Sequence, residues 1–498
     1  MLVDTAVRLP DKTALIPAGG GAAWDYARLL SEASRTARGL GALGITRGDR
    51  VAIAIHNVPE FAAAYFGILM AGAVVVPLNV MLTVDEIAGI LRNAEPKVLI
   101  GVPPFGAQAA EAAARVPRVE HVFAGGDLPM ANDSGSDFAV VEAEPDDLAV
   151  LAYTSGTTGE AKGAMLSHGN LMANVEQQMA IPEDTVGEDD VLFMGLPLFH
   201  IFGLNVTLAL LVKNGATGIL VERFDPVAAF RSIVEHKATV LFGAPTMYLA
   251  MVNTPGAEQY DLSAVRLAVS GATPLVPEVL ASFGAVTGVK IYEGYGLTET
   301  SPALMSTRMA PVPKPGSVGL PLNGVEVRLL DEAGNEVALG DPGEVVVRGP
   351  NVFGGYWHRP DETAAVLRDG WFHTGDIAVQ DEEGFFYLVD RKRDLIIVSG
   401  FNVFPSEVEA TLLEDPRVSE AAVIGVPHAY TGEGVKAYVV LEDGAEATAE
   451  EIADSCRGHL ARFKCPETVE IVDELPHLVT GKVLKRALRD RSGCAPHT

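Results

Sequence analysis

Between Asp49 and roughly Ala310, short runs of Val, Ile and Leu alternate with longer stretches of helical period: RVAIAI, AVVVPL, KVLI, HVFA, LAVLAY, TGILV, ATVLFG and RLAVS. An apolar run of this length, bounded by turn residues, is the pattern of a strand buried on both faces. Strands of that kind separated by helices make parallel sheets covered by helices on both sides. The fold class expected is therefore α/β, with a large N-terminal domain of parallel sheets. Helix starts are also legible, since TVDE at Thr83 to Glu86 has the spacing of a capping box ahead of IAGILRN.

One segment resembles a membrane span by length alone. FAAAYFGILMAGAVVVPLN, from Phe61 to Asn79, is apolar throughout. Gly72 splits it into a helix-like half and a β-branched half that Pro77 ends, so a buried helix followed by a buried strand is expected. No transmembrane segment is assigned.

After Pro311 the texture changes to strands punctuated by Gly and Pro, with turn pairs at Ala333-Gly334 and Glu383-Gly384. This predicts a small β-rich subdomain of hairpins over about 311–390. Beyond DRKRD, at Asp390 to Asp394, strand and helix patterns alternate again, enough for a small α+β domain. The expected division is thus 1–390 and 391–498. A chain of 498 residues exceeds the size at which one core stops growing, so at least two packed units are needed in any case.

Acidic residues outnumber basic ones 65 to 37, a net charge of −28, which repels nucleic-acid backbones and anionic lipid. Nucleic acid is excluded as a partner on that ground. A local reversal near the C-terminus, with Lys482, Lys485, Arg486, Arg489 and Arg491 against Asp490, offers a docking place for a small anion. Cys456, Cys465 and Cys494 make no disulfide framework and no CxxC pair, which points to a reducing compartment. The N-terminus lacks the basic start and apolar core of a secretory signal, so a cytoplasmic location is expected.

The stretch richest in chemistry is TSGTTGEAKG, Thr154 to Gly163. It is not a Walker A loop, in which lysine directly follows the last glycine and precedes Ser or Thr. Its physics is nonetheless that of an anion cradle. Glycines let backbone N–H groups face a ligand, the hydroxyls of Thr154, Ser155, Thr157 and Thr158 add donors, and Lys162 adds a charge. A polyphosphate fits such a loop.

Read with EGYGLTET (Glu293 to Thr300), HTGD (His373 to Asp376), DRKRDLIIVSGFNVFPSEVE (Asp390 to Glu409) and TGKVLKRALR (Thr480 to Arg489), the chain resembles the adenylate-forming superfamily of acyl-CoA synthetases, adenylation domains and luciferases. The hinge region looks most like that of fatty acyl-CoA synthetases. The match spans nearly the whole chain, with the motifs in family order. It implies a large AMP-binding N-terminal domain, a small mobile C-terminal domain, and ATP, Mg²⁺ and CoA as cofactors. It implies an acid–thiol ligase: a carboxylate and ATP give an acyl-adenylate and pyrophosphate, then CoA gives the thioester and AMP.

The resemblance also assigns residues. Thr154, Ser155, Gly156, Thr157, Thr158, Gly159 and Lys162 would cradle the β- and γ-phosphates, Glu299 would hold Mg²⁺, and Thr298 would contact the α-phosphate. Gly271, Ala272 and Thr273 would line the adenine and acyl sites, with Glu293, Gly294, Tyr295 and Gly296 around the purine. Asp376 and Arg391 would hold the ribose hydroxyls. Lys482, on the small domain, would offset the charge that builds up when one anion attacks another. Arg393 stands at the hinge position, and Ser399, Gly400 and Phe401 at the pantetheine tunnel. His200, Phe202, Phe242, Gly271 and Gly296 match the acyl pocket, whose apolar neighbours favour an apolar acid, of fatty type.

The chain departs from the family pattern at Ala161, where proline is usual, at Thr273, where alanine is frequent, and in PHLVTGK, which lacks the polar residues that often precede TGK. Alternatives stay open at this stage: an acyl-AMP ligase that loads a carrier protein, an aryl or short-chain acyl-CoA ligase, or a non-catalytic acyl- or nucleotide-binding protein. Chain length of the acid and a homodimeric state are likewise open.

Overall fold

The computed structural model describes residues 1–498 except 131–139, 155–160, 183–184, 274, 276, 392–393, 399–400, 429–430, 458, 478–481 and 493–498. The chain packs as two units, Met1–Glu326 with Arg348–Phe372, and Val327–Val347 with His373–Thr498.

The first unit holds two sheets. In the larger, strands Thr13–Pro17, Thr217–Leu220, Val191–Met194, Val240–Gly243, Leu267–Ser270 and Ile291–Gly296 lie parallel in that order. Antiparallel strands complete it, Trp24–Asp25 at one edge and Ala303–Ser306 with Leu320–Pro321 at the other. Val240–Gly243 and Leu267–Ser270 are buried at every position, which is why they appear as unbroken apolar runs. Side chains such as Phe193, Phe230, Leu241, Tyr248, Phe283 and Ile291 form the core beside this sheet. The parallel strands deliver Gly243, Ser270 and Gly296 to one common edge, the carboxyl end where open α/β sheets bind ligands.

In the smaller sheet the order is His121–Phe123, Val98–Gly101, Arg50–Ala54, Val74–Pro77, Leu148–Thr154 and Lys162–Ser167. All neighbours pair in parallel except the last two strands, which run antiparallel with Thr154 opposite Lys162. The apolar stretch from Phe61 divides as expected, into helix Pro59–Met70 and strand Val74–Pro77, with Gly72 at φ 72° between them. A Cβ at Gly72 would also come within 2.7 Å of Val141, so the turn needs glycine twice over. The capping box is present: the Thr83 N–H donates to Glu86 at 2.8 Å and the Glu86 N–H donates back to Thr83 Oγ1 at 3.4 Å. Among the described residues, no helix is long and apolar enough to cross a membrane.

In the second unit, Gly334 and Gly384 take left-handed φ values of 84° and 89° at the expected turns. Its C-terminal part carries a sheet ordered Phe401–Val403, Ile396–Val398, Gly432–Leu441, Val418–His428, with Thr468–Ile471 parallel to Gly432–Leu441. Val408 and Leu412 of helix Pro405–Leu413 and Ile452 of helix Ala449–Cys456 pack with Ile396, Val423 and Val439 into the core. Cys456 and Cys465 are free and buried, and burial pushes the Cys456 thiol up to about 11. The basic run near the C-terminus is less available than its composition implies. Lys485 pairs with Glu409 at 2.7 Å, Arg489 with Asp394 at 2.6 Å and Arg491 with Glu470 at 2.7 Å. Those charges fix helix Lys485–Arg491 to its own unit.

Candidate active site

The Ser/Thr/Gly stretch joins two antiparallel strands, with Thr154 ending one and Lys162 starting the next. A P-loop instead leads from a strand into a helix, whose N-terminus then faces the phosphate. Here the flanking groups are a hydroxyl and an ammonium on facing strands. Ser155, Gly156, Thr157, Thr158 and Gly159 lie outside the described residues.

A strap of chain lies along the far side of the strand Lys162–Ser167. The Gly354 N–H donates to Met165 O at 3.1 Å, the Met165 N–H to Gly355 O at 2.9 Å, and the Trp357 N–H to Gly163 O at 2.8 Å. The strap continues into helix Pro360–Val366, where Pro360 and the acidic residues Asp361 and Glu362 fill the first turn. Glu362 forms an ion pair with Lys162 through Oε2, while Arg359 Nη1 lies 3.5 Å from its other oxygen. Lys162 Nζ also sits 5.3 Å from the centre of the Tyr356 ring.

Tyr356 reaches a second charged group. Its hydroxyl donates to Glu299 Oε1 at 2.8 Å. Burial, and then the Glu299 charge, push the tyrosine pKa far above its ordinary value, so it remains a donor at any physiological pH. Glu299 is only 8% exposed and lies on the single turn Thr298–Thr300 that follows strand Ile291–Gly296. Several bonds hold that turn: the Leu297 N–H donates to Thr300 Oγ1 at 3.0 Å, and Asn351 Nδ2 donates to Thr300 O at 2.8 Å. The Phe353 N–H also donates to Glu299 O at 2.8 Å. Gly296 is required by packing, because a Cβ there would lie 2.0 Å from Pro302 O.

Among the described residues no group of three or more His, Cys, Asp or Glu could cage a metal ion. A single buried carboxylate such as Glu299 is compatible with Mg²⁺, which takes few protein ligands and completes its shell with phosphate oxygens and water.

At the carboxyl edge of the larger sheet, Gly271 follows strand Leu267–Ser270 and leaves room for an aromatic ring. A Cβ on Gly271 would stand 3.0 Å from Phe202 Cε1 and 3.4 Å from Gly294 O. Ala272 is held at φ 79°, a left-handed conformation that L-alanine rarely adopts and that concentrates at functional sites. Thr273 is half-buried beside it. Glu293 is 7% exposed, and desolvation raises its pKa to about 7 even though the Leu275 and Gly316 N–H groups favour the anion. Tyr295 is buried, and Gly294 and Tyr295 pair in register with Ser306 and Met305.

Phe202 begins a π-helix over Phe202–Ala209, a rare widened coil that is frequent at functional sites. Phe202 and Phe242 meet edge to face with ring centres 6.2 Å apart. The Phe202 N–H points at His200 Nδ1, 3.3 Å away. His200 keeps a partly accessible surface, yet its ring is packed deeply enough that burial pulls its pKa down to about 4. It is therefore a neutral imidazole near pH 7, and no charge enters this wall through it.

In the second unit Asp376 is buried, with its N–H donating to Thr374 Oγ1 at 3.1 Å. It stands opposite Arg391 in the antiparallel ladder, so the expected ribose pair occupies facing backbone positions. The Arg391 side chain lies outside what the structure describes, as do Arg393, Ser399 and Gly400. Phe401 is 58% exposed and leans on Phe463, with ring centres 5.0 Å apart. Lys482 is half-buried just before helix Lys485–Arg491.

Sequence reasoning missed Tyr356 and Glu362. The one available signal was the charged, aromatic run GGYWHRPDET, whose proline and acids look like an ordinary exposed helix start.

Lys162 and the buried Glu299 are linked through Tyr356 on an α/β scaffold, and comparison with known proteins identifies the family. Residues 2–357 match the family of AMP-binding enzymes, and residues 407–482 match the AMP-binding enzyme C-terminal domain. The chain belongs to this adenylate-forming family. A long-chain-fatty-acid–CoA ligase of Bacillus subtilis is 38% identical over 98% of this chain and 93% of its own length. A feruloyl-CoA synthase of an Amycolatopsis species is 42% identical over 95% of both chains. Among solved structures, ATP-bound MatB from Rhodopseudomonas palustris superposes with a TM-score of 0.91 at 37% identity, covering 98% of both chains. The protein is an AMP-forming acid–thiol ligase of the acyl-CoA synthetase group, using ATP, Mg²⁺ and CoA.

Proposed function

We propose that this ligase activates an apolar carboxylic acid of fatty type and passes the acyl group to CoA. The observation that carries this reading is the neutral, aromatic wall around the π-helix: Phe202, Phe242 and an uncharged His200. A second charged group on the acid would be desolvated against that wall without a partner, at a cost of several kcal/mol, on the order of that for any unpaired buried charge.

In the first half-reaction a carboxylate oxygen bonds to the α-phosphorus and the bond to the β-phosphate oxygen breaks, giving acyl-adenylate and pyrophosphate. Thr154, Lys162 and the loop between them hold the departing phosphates. The Thr298 hydroxyl orients the α-phosphate, and Glu299 fixes the metal site with Tyr356 holding its carboxylate. Magnesium, when bound, neutralises phosphate charge and aligns the leaving group. Gly271 to Thr273 and Glu293 to Gly296 frame the adenine, while Asp376 and Arg391 take the ribose hydroxyls. Lys482 offsets the charge gathered at the α-phosphorus.

In the second half-reaction the thiol adds to the acyl carbonyl and AMP leaves. We assign Arg393 to the hinge of a mobile domain beginning near residue 391, and Ser399, Gly400 and Phe401 to the thiol arm. Cysteine usage favours the cytoplasm. A second reading, an aryl acid, is favoured by the feruloyl-CoA synthase relative.

A pyrophosphate-release screen across acetate, medium and long fatty acids, benzoate, cinnamates and malonate tests both, with free CoA or a carrier protein as acceptor. The highest kcat/KM is expected on a fatty acid with CoA. Preference for cinnamates supports the aryl reading, and preference for malonate or acetate overturns the apolar one.

A further inference from the structure

Lys162 already has an anion beside it that belongs to the chain. Its ammonium pairs with Glu362 Oε2, an oxygen buried within the protein. Both partners are largely shielded, with side-chain exposures of 15% for Lys162 and 28% for Glu362. A pair of this kind is stronger than one at the open surface, and removing one member leaves the other charge uncompensated.

Two further features make the pair exchangeable. Arg359 lies 3.5 Å from the other Glu362 oxygen, so the carboxylate keeps a cation when Lys162 departs. The Tyr356 ring lies 5.3 Å from Nζ, giving the ammonium an electron-rich face near the carboxylate. The strap that carries Tyr356 and Glu362 is bonded to the strand bearing Lys162, at Gly163 and Met165, so the carboxylate is held near its partner.

We propose that Glu362 is the internal counter-ion that Lys162 exchanges for phosphate. A polyphosphate must draw Lys162 away from Glu362 to bind, and Glu362 recaptures Lys162 as pyrophosphate leaves. The fraction of enzyme with Lys162 detached sets the apparent affinity, so the carboxylate weakens phosphate binding and favours release of the product. This inference rests on the assignment of the β- and γ-phosphates to the Thr154–Lys162 hairpin. Glu362 acts through Lys162 and is a positioning residue.

The test measures inhibition by inorganic pyrophosphate with Mg²⁺, and its direct binding by calorimetry, in the full-length chain. Glu362→Gln is expected to tighten pyrophosphate binding about fivefold or more, the scale of an ordinary coupling between two sites. Glu362→Asp, which keeps an acid in the first turn but shortens its reach, is expected to do the same and carries the test if the first variant unfolds. Asp361→Asn removes a neighbouring exposed charge and is expected to change affinity less than about twofold. In a Lys162→Ala background the Glu362 substitutions are expected to have no further effect.

If neither Glu362 variant tightens binding while Lys162→Ala weakens it, the exchange is overturned and the phosphate assignment stands. If Lys162→Ala leaves pyrophosphate affinity unchanged, the phosphate assignment falls and the exchange with it. Equal tightening by Asp361→Asn, or persistence of the Glu362 effect without Lys162, reduces the effect to general electrostatics and overturns the proposal.

Discussion

The hairpin that carries Lys162 and the aromatic wall around Phe202 lie in the same packed unit and obey opposite rules. Around Lys162 the chain places charge against charge: ammonium, carboxylate, guanidinium, and a tyrosine hydroxyl donating to a second carboxylate. Around Phe202 it removes charge, even to the point of holding His200 neutral by burial. On the proposed assignment the first region deals with groups every such reaction shares, so its residue types are dictated by the chemistry. On the same assignment the second deals with whatever tail the acid carries, and apolar packing can be satisfied in many ways. Reaction class is therefore written in a few charged positions, and substrate choice in shapes.

The largest effect is expected from Lys482→Ala. Loss of an electrostatic group that acts only in the transition state costs roughly a hundredfold to a thousandfold, here in adenylation. Thioester formation from supplied acyl-adenylate should fall by much less. Equal loss in both half-reactions would break the assignment.

Next is the pH dependence of stability, in which two buried groups, Glu293 and His200, act with opposite sign. Glu293 has a folded pKa of about 7, above its ordinary value of 4.5. The folded chain therefore holds the proton more tightly, and this contribution is present below about pH 4.5 and lost as pH rises through 7. His200, lowered from 6.5 to about 4, does the reverse: its contribution is present above about pH 6.5 and lost as pH falls toward 4. Chemical denaturation of Glu293→Gln against the parent should show the variant gaining up to about 3 kcal/mol in relative stability between acid and pH 8. A difference that stays flat with pH would show that Glu293 titrates normally.

Tyr356→Phe removes a hydrogen bond to a buried carboxylate but keeps the ring beside Lys162. A loss of about 2 kcal/mol in kcat/KM for ATP is expected, with a raised Mg²⁺ requirement and an unchanged KM for the acid. A change confined to the acid would move Tyr356 to the other region. The smallest effect belongs to Gly271→Ala, whose Cβ would press on Phe202 at 3.0 Å. It should cost about 1 kcal/mol of stability and shift preference toward shorter or slimmer acids, read from a chain-length series of kcat/KM.

Much of the scaffold is legible in the sequence because buried parallel strands admit little besides Val, Ile and Leu. RVAIAI, KVLI and ATVLFG all become strands, and Gly72 and Pro77 divide the long apolar stretch where their backbone chemistry requires. The hairpin at Lys162 was not legible, since the same glycines and threonines serve equally before a helix or a strand. Nor was the role of Glu362. An acid in the first turn after proline is what any exposed helix wants, and that local reason conceals a contact made across about 200 residues of chain. The π-helix left no periodic signature because every one of its positions is buried.

The decisive measurement is ATP–pyrophosphate exchange, dependent on added fatty acid, in Lys162→Ala. Expected is a loss of roughly a hundredfold in kcat/KM for pyrophosphate with the KM for the acid unchanged. Exchange that keeps its pyrophosphate dependence, or that fails through the acid instead, would contradict the placement of the phosphates on this hairpin.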